Sequence, residues 1–322
     1  MRRLLTLVAL LLAMSLGAPI TTAQDASPVA TPGAASCDAP DLPPGTPTPM
    51  EEMAPGGTPA ADMAGMEMSS PEAMAEAASP AAETLPEGTP ADQATIDRVT
   101  AAVQNVVGCL NAGDALGFAA LITPNYLINA FGTTNPYDLP MFLDGFPQQE
   151  LQAVDNVQTH DDGRVSADVT TVLGGTQVDR FRAFFVDDGD YLLLDDEPTL
   201  PLEGADVDVR VTMLDYAFEM SQTSVPADSL ISFELVNAGE YPHEFAVVRL
   251  PDGVTVDQVL EDPALEEQIQ FLGGAFAEPG ETGHFGLQGL EPGTYTAVCF
   301  VDVPEGVPHV VRGMVTEFEV TE

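Results

Sequence analysis

The sequence predicts two folded domains in series, an α+β domain followed by an all-β Greek-key sandwich, behind a disordered N-terminal linker. Three observations predict this class. Residues 24–90 have almost no aromatic or β-branched periodicity, which is typical of disorder. Residues 91–202 begin with apolar residues at helical spacing and continue as alternating strands, the order of an α+β domain. Residues 203–322 consist of short alternating strands separated by turn sequences, which favours a β-sandwich.

Residues 1–23 have the features of a secretory signal peptide. Arg2 and Arg3 precede an apolar run, and the small residues TTA offer a cleavage site after Ala23. The apolar run is short for an uncleaved transmembrane anchor. We therefore expect a secreted or otherwise extracytoplasmic protein, in the periplasm or at the cell exterior. After cleavage it should not be an integral membrane protein.

Residues 24–90 are rich in Ala, Pro, Gly, Thr, Ser and Met. Such a segment cannot bury enough apolar surface to offset the entropy of ordering it, so we expect a disordered tether. Thioether sulfurs are soft ligands that prefer Cu(I), and Met63, Met66 and Met68 are spaced so that they could form a weak Cu(I) site. The alternative is compositional drift in a low-complexity linker.

The charge of the chain limits its partners. Its 322 residues include 51 acidic and nine basic ones, for a formal net charge of −42. Nucleic acids and anionic membrane surfaces would repel such a chain. The composition favours cations and basic partner proteins.

The α+β domain opens with a helix over DQATIDRVTAAVQNVVGCLNAGD, where apolar residues recur at helical spacing and Gly113 fits the stop. A second helix is predicted over ALGFAALI, and a short element near 138–145. The segments RVSADVTTVL, VDRFRAFFV and YLLL then alternate as strands, joined by DDG and GG turn signals.

This element order, with phrases such as CLNAGD and VDRFRAFFVDDGDYLLLDDEP, resembles the NTF2-like (SnoaL-like) family. The resemblance implies a cone in which helices pack against a curved antiparallel sheet, and which holds a catalytic pocket, a small ligand or nothing. We expect His160 to be solvated in a hairpin turn, and no pair of polar groups favours acid–base chemistry. The candidate polar groups for such a cone are His160, Asp168, Asp179, Arg180 and Arg182.

Three cysteines allow at most one internal disulfide. A Cys37–Cys109 bridge is compatible with export. The alternative, and the more common outcome for a cysteine in a sequence like NVVGCLNAG, is that Cys109 is a small buried apolar residue.

The all-β domain begins with VDVRVTM, in which Val207, Val209, Val211 and Met213 share one face. Further strands are predicted over SLISFELVN, EFAVVRL, TGHFGL, GTYTAVCF and MVTEFEV, with turns at PDG and at two EPG sequences. A helical insertion over TVDQVLEDPALEEQIQFL interrupts them.

Four side chains of this domain suit one metal ion. Cys299 ends a strand, His309 follows ten residues later, and Met314 comes five residues after that, at the start of the last strand. His243 directly follows a loop between two strands. A mononuclear copper electron-transfer site needs a thiolate, two imidazoles and a weak axial thioether, and these four residues supply that set.

The sequences NAGEYPH and GTYTAVC…PH…GMVTEFEV resemble the two halves of a cupredoxin, the plastocyanin-like blue copper fold. The resemblance implies one type 1 copper, with His243 and His309 as histidine ligands, Cys299 as the thiolate and Met314 as the axial ligand. An empty cupredoxin scaffold and zinc binding remain alternatives. Glu244, Asp302 and Glu305 are near the ligands in sequence, where negative charge would lower the reduction potential or attract a basic partner. We expect His284 to be a strand residue and not a ligand.

Three functions follow from these expectations. The first is electron transfer outside the cell through one type 1 copper, with a redox partner that the sequence does not identify. The second is copper capture or storage without electron transfer, using the methionines of the N-terminal linker. The third is small-ligand binding or catalysis in the NTF2-like cone, with the cupredoxin as accessory. Under the first two, the protein is an electron carrier or copper-binding protein and not an enzyme.

Overall fold

The computed structural model describes residues 37–48, 85–302 and 306–322. Within these ranges, no helix combines the length and the apolar character that crossing a membrane requires. Several predictions fall outside the described residues: the signal peptide, the methionines Met63, Met66 and Met68, and the position of Glu305.

Among the described residues, the folded chain after residue 90 begins with four α-helices. They are α1 Gln93–Asn111, α2 Ala115–Ala120, α3 Pro124–Phe131 and α4 Leu139–Leu143. The side chain of Asp92 accepts a hydrogen bond from the backbone N–H of Thr95 and so caps the start of α1. The predicted apolar spacing of α1 buries one face, including Val99 and Val103. Gly132, in a left-handed conformation, ends α3.

The helices pack against antiparallel strands. These are β1 Thr89–Pro90, β2 Gln149–Thr159, β3 Val165–Leu173, β4 Gln177–Asp187 and β5 Leu192–Asp196. Neighbouring strands pair in the order β1-β2-β3-β4, and β5 pairs with β4. Because side chains alternate between the two faces of a strand, Ala167 and Val169 of β3 share one face, and both belong to a core that also includes helix residues. We call residues 85–202 the N-terminal unit.

Two short segments inside the predicted linker are held against the N-terminal unit. Cys37 forms a disulfide with Cys109 of α1, so Cys109 is not the free buried cysteine that is the more common outcome. The backbone N–H of Thr48 donates to the carboxylate of Asp138 at 2.7 Å, and β1 pairs with β2. Residues 37–48 and 85–90 therefore depart from the predicted disorder, because covalent and hydrogen bonds offset the cost of ordering them.

The rest of the chain, the C-terminal unit of residues 203–322, is a sandwich of two sheets. Its strands are β6 Val207–Leu214, β7 Ala217–Met220, β8 Ser224–Pro226, β9 Ile231–Asn237, β10 His243–Arg249, β11 Gln270–Ala277, β12 Thr282–Leu287, β13 Gly293–Val298 and β14 Val315–Thr321. One sheet runs β12-β9-β6-β7 and the other β11-β10-β13-β14-β8. Aromatic residues fill the space between them, with the rings of Phe233 and Phe285 stacked at 4.8 Å.

The predicted helical insertion is shorter than expected. It contains α5 Val256–Glu261 and α6 Pro263–Glu266, and the chain is extended again from Gln270. The predicted continuation of the helix to Leu272 is therefore wrong. Phe271 pairs with Val248 of β10, so pairing with a neighbouring strand overrides the local helical pattern.

The two units are joined through a common sheet. Strand β12 pairs with β4, which makes a nine-stranded sheet of the described strands. The side chain of Gln177 on β4 donates to the carbonyl of Gly274 at 3.2 Å and accepts from its N–H at 3.1 Å. Because these bonds are buried, they tie β11 of the second sheet to the N-terminal unit as well.

Candidate metal centre

Three potential ligand atoms meet inside the C-terminal unit. The Nδ1 atoms of His243 and His309 are 3.0 Å apart, and Cys299 Sγ lies 3.4 Å from His309 Nδ1 and 4.0 Å from His243 Nδ1. All three side chains are completely buried. Among the described residues, they form a group whose donor atoms could hold a metal ion.

Strand pairing brings these residues together from distant parts of the chain. His243 is the first residue of β10, and Cys299 directly follows β13, which pairs antiparallel with β10 through Ala246 and Val298. The start of one strand therefore lies beside the end of the other. The backbone N–H of Glu244 also donates to Cys299 Sγ at 3.5 Å.

His309 and Met314 are held by the loop between β13 and β14. The backbone N–H of His309 donates to the carbonyl of Val301 at 2.9 Å, at the start of a 3₁₀ helix. Met314 is fully buried in the same core as Cys299. Its N–H donates to the carbonyl of His309 at 3.1 Å, and its carbonyl accepts from the N–H of Cys299 at 3.3 Å. The backbone of Met314 is thus fastened to two of the three clustered residues.

A carboxylate holds the outer nitrogen of His243. Nε2 of His243 lies 3.2 Å from Asp215 Oδ1, on the turn between β6 and β7. The same oxygen accepts hydrogen bonds from the backbone N–H groups of Glu240 at 2.9 Å and Tyr241 at 3.4 Å. Sequence reasoning missed Asp215 because its partner is 28 residues away. The sequence feature that could have indicated it is the position of Asp215 directly after a strand whose alternate residues, Val207 to Met213, share one face.

Two tyrosines cover His309. Its ring meets Tyr216 edge-on at a centroid distance of 5.2 Å and Tyr241 at 6.1 Å. Both tyrosines are half-buried, whereas His309 has no exposed surface. Its Nε2 is buried and has no hydrogen-bond partner among the described residues. The aromatic rings therefore lie between this imidazole and solvent.

Burial keeps the three clustered side chains neutral. It raises the pKa of the Cys299 thiol to about 12, with a further contribution from the negative charge of Glu244. It lowers the pKa of His309 to about 4, and repulsion from the protonated form of His243 adds to this. Burial also lowers the pKa of His243, an effect that Asp215 opposes. Neutral imidazoles are ready to donate to a metal, and a bound cation favours loss of the thiol proton.

The donor geometry fits a metal ion of nitrogen and sulfur preference. Bonds of about 2.0 Å to nitrogen and about 2.3 Å to sulfur in a trigonal plane place the two nitrogens about 3.5 Å apart and each about 3.7 Å from the sulfur. The observed separations are 3.0, 3.4 and 4.0 Å, within about half an ångström of those values. Imidazole and thiolate donors suit copper or zinc better than calcium or magnesium.

The other residues considered near the ligands take separate positions. Glu244 is buried, its carboxylate accepts from the backbone N–H of Phe300 at 2.8 Å, and burial raises its pKa to about 7. Asp302 is exposed and bridges to Pro308 through the backbone. His284 lies on β12, as predicted, and outside the cluster of ligand atoms.

The five candidate polar groups of the N-terminal unit do not form one site. Asp168, on the side of β3 opposite the core, accepts from Arg182 Nε at 2.7 Å and from Arg180 at 3.4 Å. Asp179 accepts instead from Gln177, and burial raises its pKa to about 6. The expectation of a solvated His160 is wrong in part, because that side chain is half-buried and its Nε2 lies 2.8 Å from the hydroxyl of Ser166.

Solved structures similar to this chain include three auracyanins. Auracyanin B is 24% identical, over 38% of this chain and 93% of its own, with a TM-score of 0.28. The dithionite-reduced auracyanin of Roseiflexus castenholzii is 18% identical over 37% and 100%, with a TM-score of 0.29. Auracyanin A of Chloroflexus aurantiacus, described as a "blue" copper protein, is 17% identical over 35% and 99%, with a TM-score of 0.25. No protein-family model and no curated protein matches the chain.

Proposed function

We propose that this protein binds one copper ion in a type 1 site and carries single electrons outside the cytoplasm. His243, Cys299 and His309 would hold the ion, and Met314 would supply a weaker thioether ligand. The observation that supports this most is the convergence of two imidazole nitrogens and one thiol sulfur, all buried. His243 is more than fifty residues from both Cys299 and His309 in sequence.

The surroundings of the three donors favour electron transfer over catalysis. Bound copper would supply a one-electron couple. The donors sit at strand ends and in a loop fastened by backbone hydrogen bonds, so they move little when the charge at their centre changes. Their complete burial excludes water from the site. The half-buried rings of Tyr216 and Tyr241 connect His309 with the surface, and the acidic chain favours a basic redox partner.

The test is the absorption spectrum of Cu(II)-loaded protein. Wild-type protein should be intensely blue or green from thiolate-to-copper charge transfer, and Cys299→Ser should lose that band. His284→Ala is the matched control, since it removes a histidine of the same unit that lies outside the cluster, and it should keep the band. A colourless wild-type protein with only weak d–d absorption at full loading would reject the proposal.

Copper capture without electron transfer is the second candidate, because complete burial of the donors also suits tight retention of an ion. Deleting residues 50–74, the part of the linker that contains Met63, Met66 and Met68, should then weaken Cu(I) binding, while reversible one-electron voltammetry should fail. A deletion that leaves the Cu(I) titration unchanged, together with a stable wave over repeated cycles, supports the electron carrier instead.

The NTF2-like character of residues 91–202 and the boundary at residue 203 are part of the proposal. Helices on one side of an antiparallel sheet support the first point, and separate hydrophobic cores before and after residue 203 support the second. Phe118, Phe131 and Phe142 fill the space between helices and sheet, which favours a scaffold over a catalytic cone. Soaking with small-molecule libraries and finding one bound in that core would reverse this assignment.

An extracytoplasmic location is supported by the apolar N-terminal sequence and by the Cys37–Cys109 disulfide, because such bonds persist in oxidising compartments. Fractionation of cells that express the tagged protein tests it. Recovery of the full-length, uncleaved chain in the cytoplasm contradicts it.

A further inference from the structure

The turn between β6 and β7 reaches the candidate metal centre from the sheet that does not carry the ligands. Leu214 pairs with Ala217, which leaves Asp215 and Tyr216 as a two-residue turn. Tyr216 has a φ of 67°, a left-handed conformation that is uncommon for a bulky residue. In this conformation one residue of the turn contacts each histidine, Asp215 at His243 and Tyr216 at His309.

The carboxylate of Asp215 is placed by its surroundings as well as by the turn. Its Oδ1 accepts from two backbone N–H groups of the loop before β10 in addition to facing His243 Nε2. Gly239 of that loop fits tightly against the same pair, since a Cβ there would lie 2.7 Å from His243 Nε2 and still closer to Asp215 Oδ1. The loop can therefore approach the Asp215–His243 contact only with a glycine at this position.

We propose that Asp215 is a positioning residue for the metal ligand His243. Its carboxylate accepts the Nε2 hydrogen, which holds the ring so that the Nδ1 lone pair faces Cys299 and His309. It also places a negative charge behind the imidazole and so favours the more oxidised state of a bound copper ion. The effect on the charge state of copper rests on the proposed function. The orientation of the His243 ring does not, because it depends only on contacts within the protein.

The physical basis is the pairing of a ligating histidine with a carboxylate. The hydrogen bond to the outer nitrogen fixes the tautomer and ring orientation, and the charge makes the inner nitrogen a stronger donor. A stronger donor and a nearby anion stabilise Cu(II) more than Cu(I), which lowers the reduction potential. The side chain of Asp215 is 30% exposed, so solvent screens part of this charge but leaves the contact intact.

Two substitutions separate the charge from the hydrogen bond. Asp215→Asn keeps a carbonyl oxygen that can accept the same hydrogens but removes the charge. Asp215→Ala removes both. Asp208→Asn is the matched control, because Asp208 is an exposed residue of the same strand β6 and its change alters the net charge equally.

The first measurement uses the metal-free protein and ¹⁵N NMR of the histidine rings in weakly alkaline buffer. In wild type and Asp215→Asn, His243 should carry its hydrogen on Nε2. In Asp215→Ala, the ring should sample both tautomers. A ring that keeps the Nε2–H form unchanged in Asp215→Ala overturns the positioning role, whatever metal the site binds.

The second measurement is the reduction potential of copper-loaded protein. Relative to Asp208→Asn, Asp215→Asn should weaken Cu(II) binding about tenfold more than Cu(I) binding. This raises the reduction potential by about 59 mV. Equal potentials for these two variants overturn the electrostatic role. If Asp215→Ala does not fold, Asp215→Asn decides both roles: loss of the Nε2–H form of His243 in that variant overturns the positioning role, and a potential equal to that of Asp208→Asn overturns the electrostatic role. Failure of the proposed function gives a different result, because wild-type protein loaded with Cu(II) would then lack the charge-transfer band. The NMR measurement uses metal-free protein and tests the positioning role in either case.

Discussion

Removing the Cys37–Cys109 disulfide should destabilise the N-terminal unit by an amount that follows from the chain length it closes. The two cysteines are 72 residues apart in sequence. Loop-closure entropy for a loop of that size is about 15 cal/mol/K, or about 4 kcal/mol at 25 °C. At about 2.1 cal/mol/K of unfolding entropy per residue, the roughly 120 residues of the N-terminal unit should then lose about 16 °C in Tm.

Calorimetry of Cys37→Ala against wild type tests this prediction. Cys37 is the better residue to change because it is half-buried, whereas Cys109 has no exposed surface and its loss would also leave a cavity. Wild type in the presence of a thiol reductant is the control and should match Cys37→Ala in oxidising buffer. If reduction and substitution both leave the Tm within a few degrees of oxidised wild type, the bond does not constrain the unfolded chain and the reasoning is wrong.

Three further predictions concern the site and the joint between the units. Gly239→Ala should weaken Cu(II) binding by at least about tenfold in a competition titration, because its Cβ would push the Asp215 carboxylate and the His243 ring apart; unchanged affinity would show that the loop yields freely. Gln177→Ala should cost about 1–3 kcal/mol in denaturant unfolding, because it leaves buried backbone groups of β11 without their partner; a loss below about 0.5 kcal/mol would contradict the buried clamp. Burial raises the pKa of the Cys299 thiol from 9.0 to about 12 in the folded protein. Below about pH 9 the thiol is protonated in both the folded and the unfolded chain, so it adds no pH dependence. Between about pH 9 and 12 only the unfolded chain loses this proton, so the free energy of unfolding of the metal-free protein falls by about 1.4 kcal/mol per pH unit. Cys299→Ser should abolish that alkaline slope, and an identical slope in both proteins would assign it to other groups.

The site combines contributions from both sheets of the sandwich. Three clustered donors come from the sheet of β10 and β13 and from the loop that follows, whereas Asp215 and Tyr216 come from the β6–β7 turn of the other sheet. Separation of the sheets at this end would therefore remove the Asp215 contact from His243 and the Tyr216 contact from His309. The pairing of β4 with β12 joins this sandwich to the N-terminal unit, and the hydrogen bond from Gln177 to Gly274 adds a second connection.

Local sequence patterns were enough to predict much of this architecture. The helical spacing from Val99 to Leu110 predicted α1, and the alternation from Val207 to Met213 predicted β6. The donor types also stood out, because cysteine and histidine are rare in this chain and because Cys299 and His243 fall near predicted strand ends. The assignment of His243, Cys299, His309 and Met314 as ligands drew on a family resemblance in addition to those patterns, and it remains a proposal.

Other features depended on which strands become neighbours. The Cys37–Cys109 bond, the Asp215 contact with His243, the pairing of β4 with β12 and the return of residue 271 to a strand all join residues that are distant in sequence or compete with a local pattern. Residue spacing encodes periodicity along one element, so it determined most of the elements, and residue identity determined the donor types. Contacts between elements depend on the free energy of packing the whole chain, so only the tertiary structure decided what surrounds the donors and how the two units are joined.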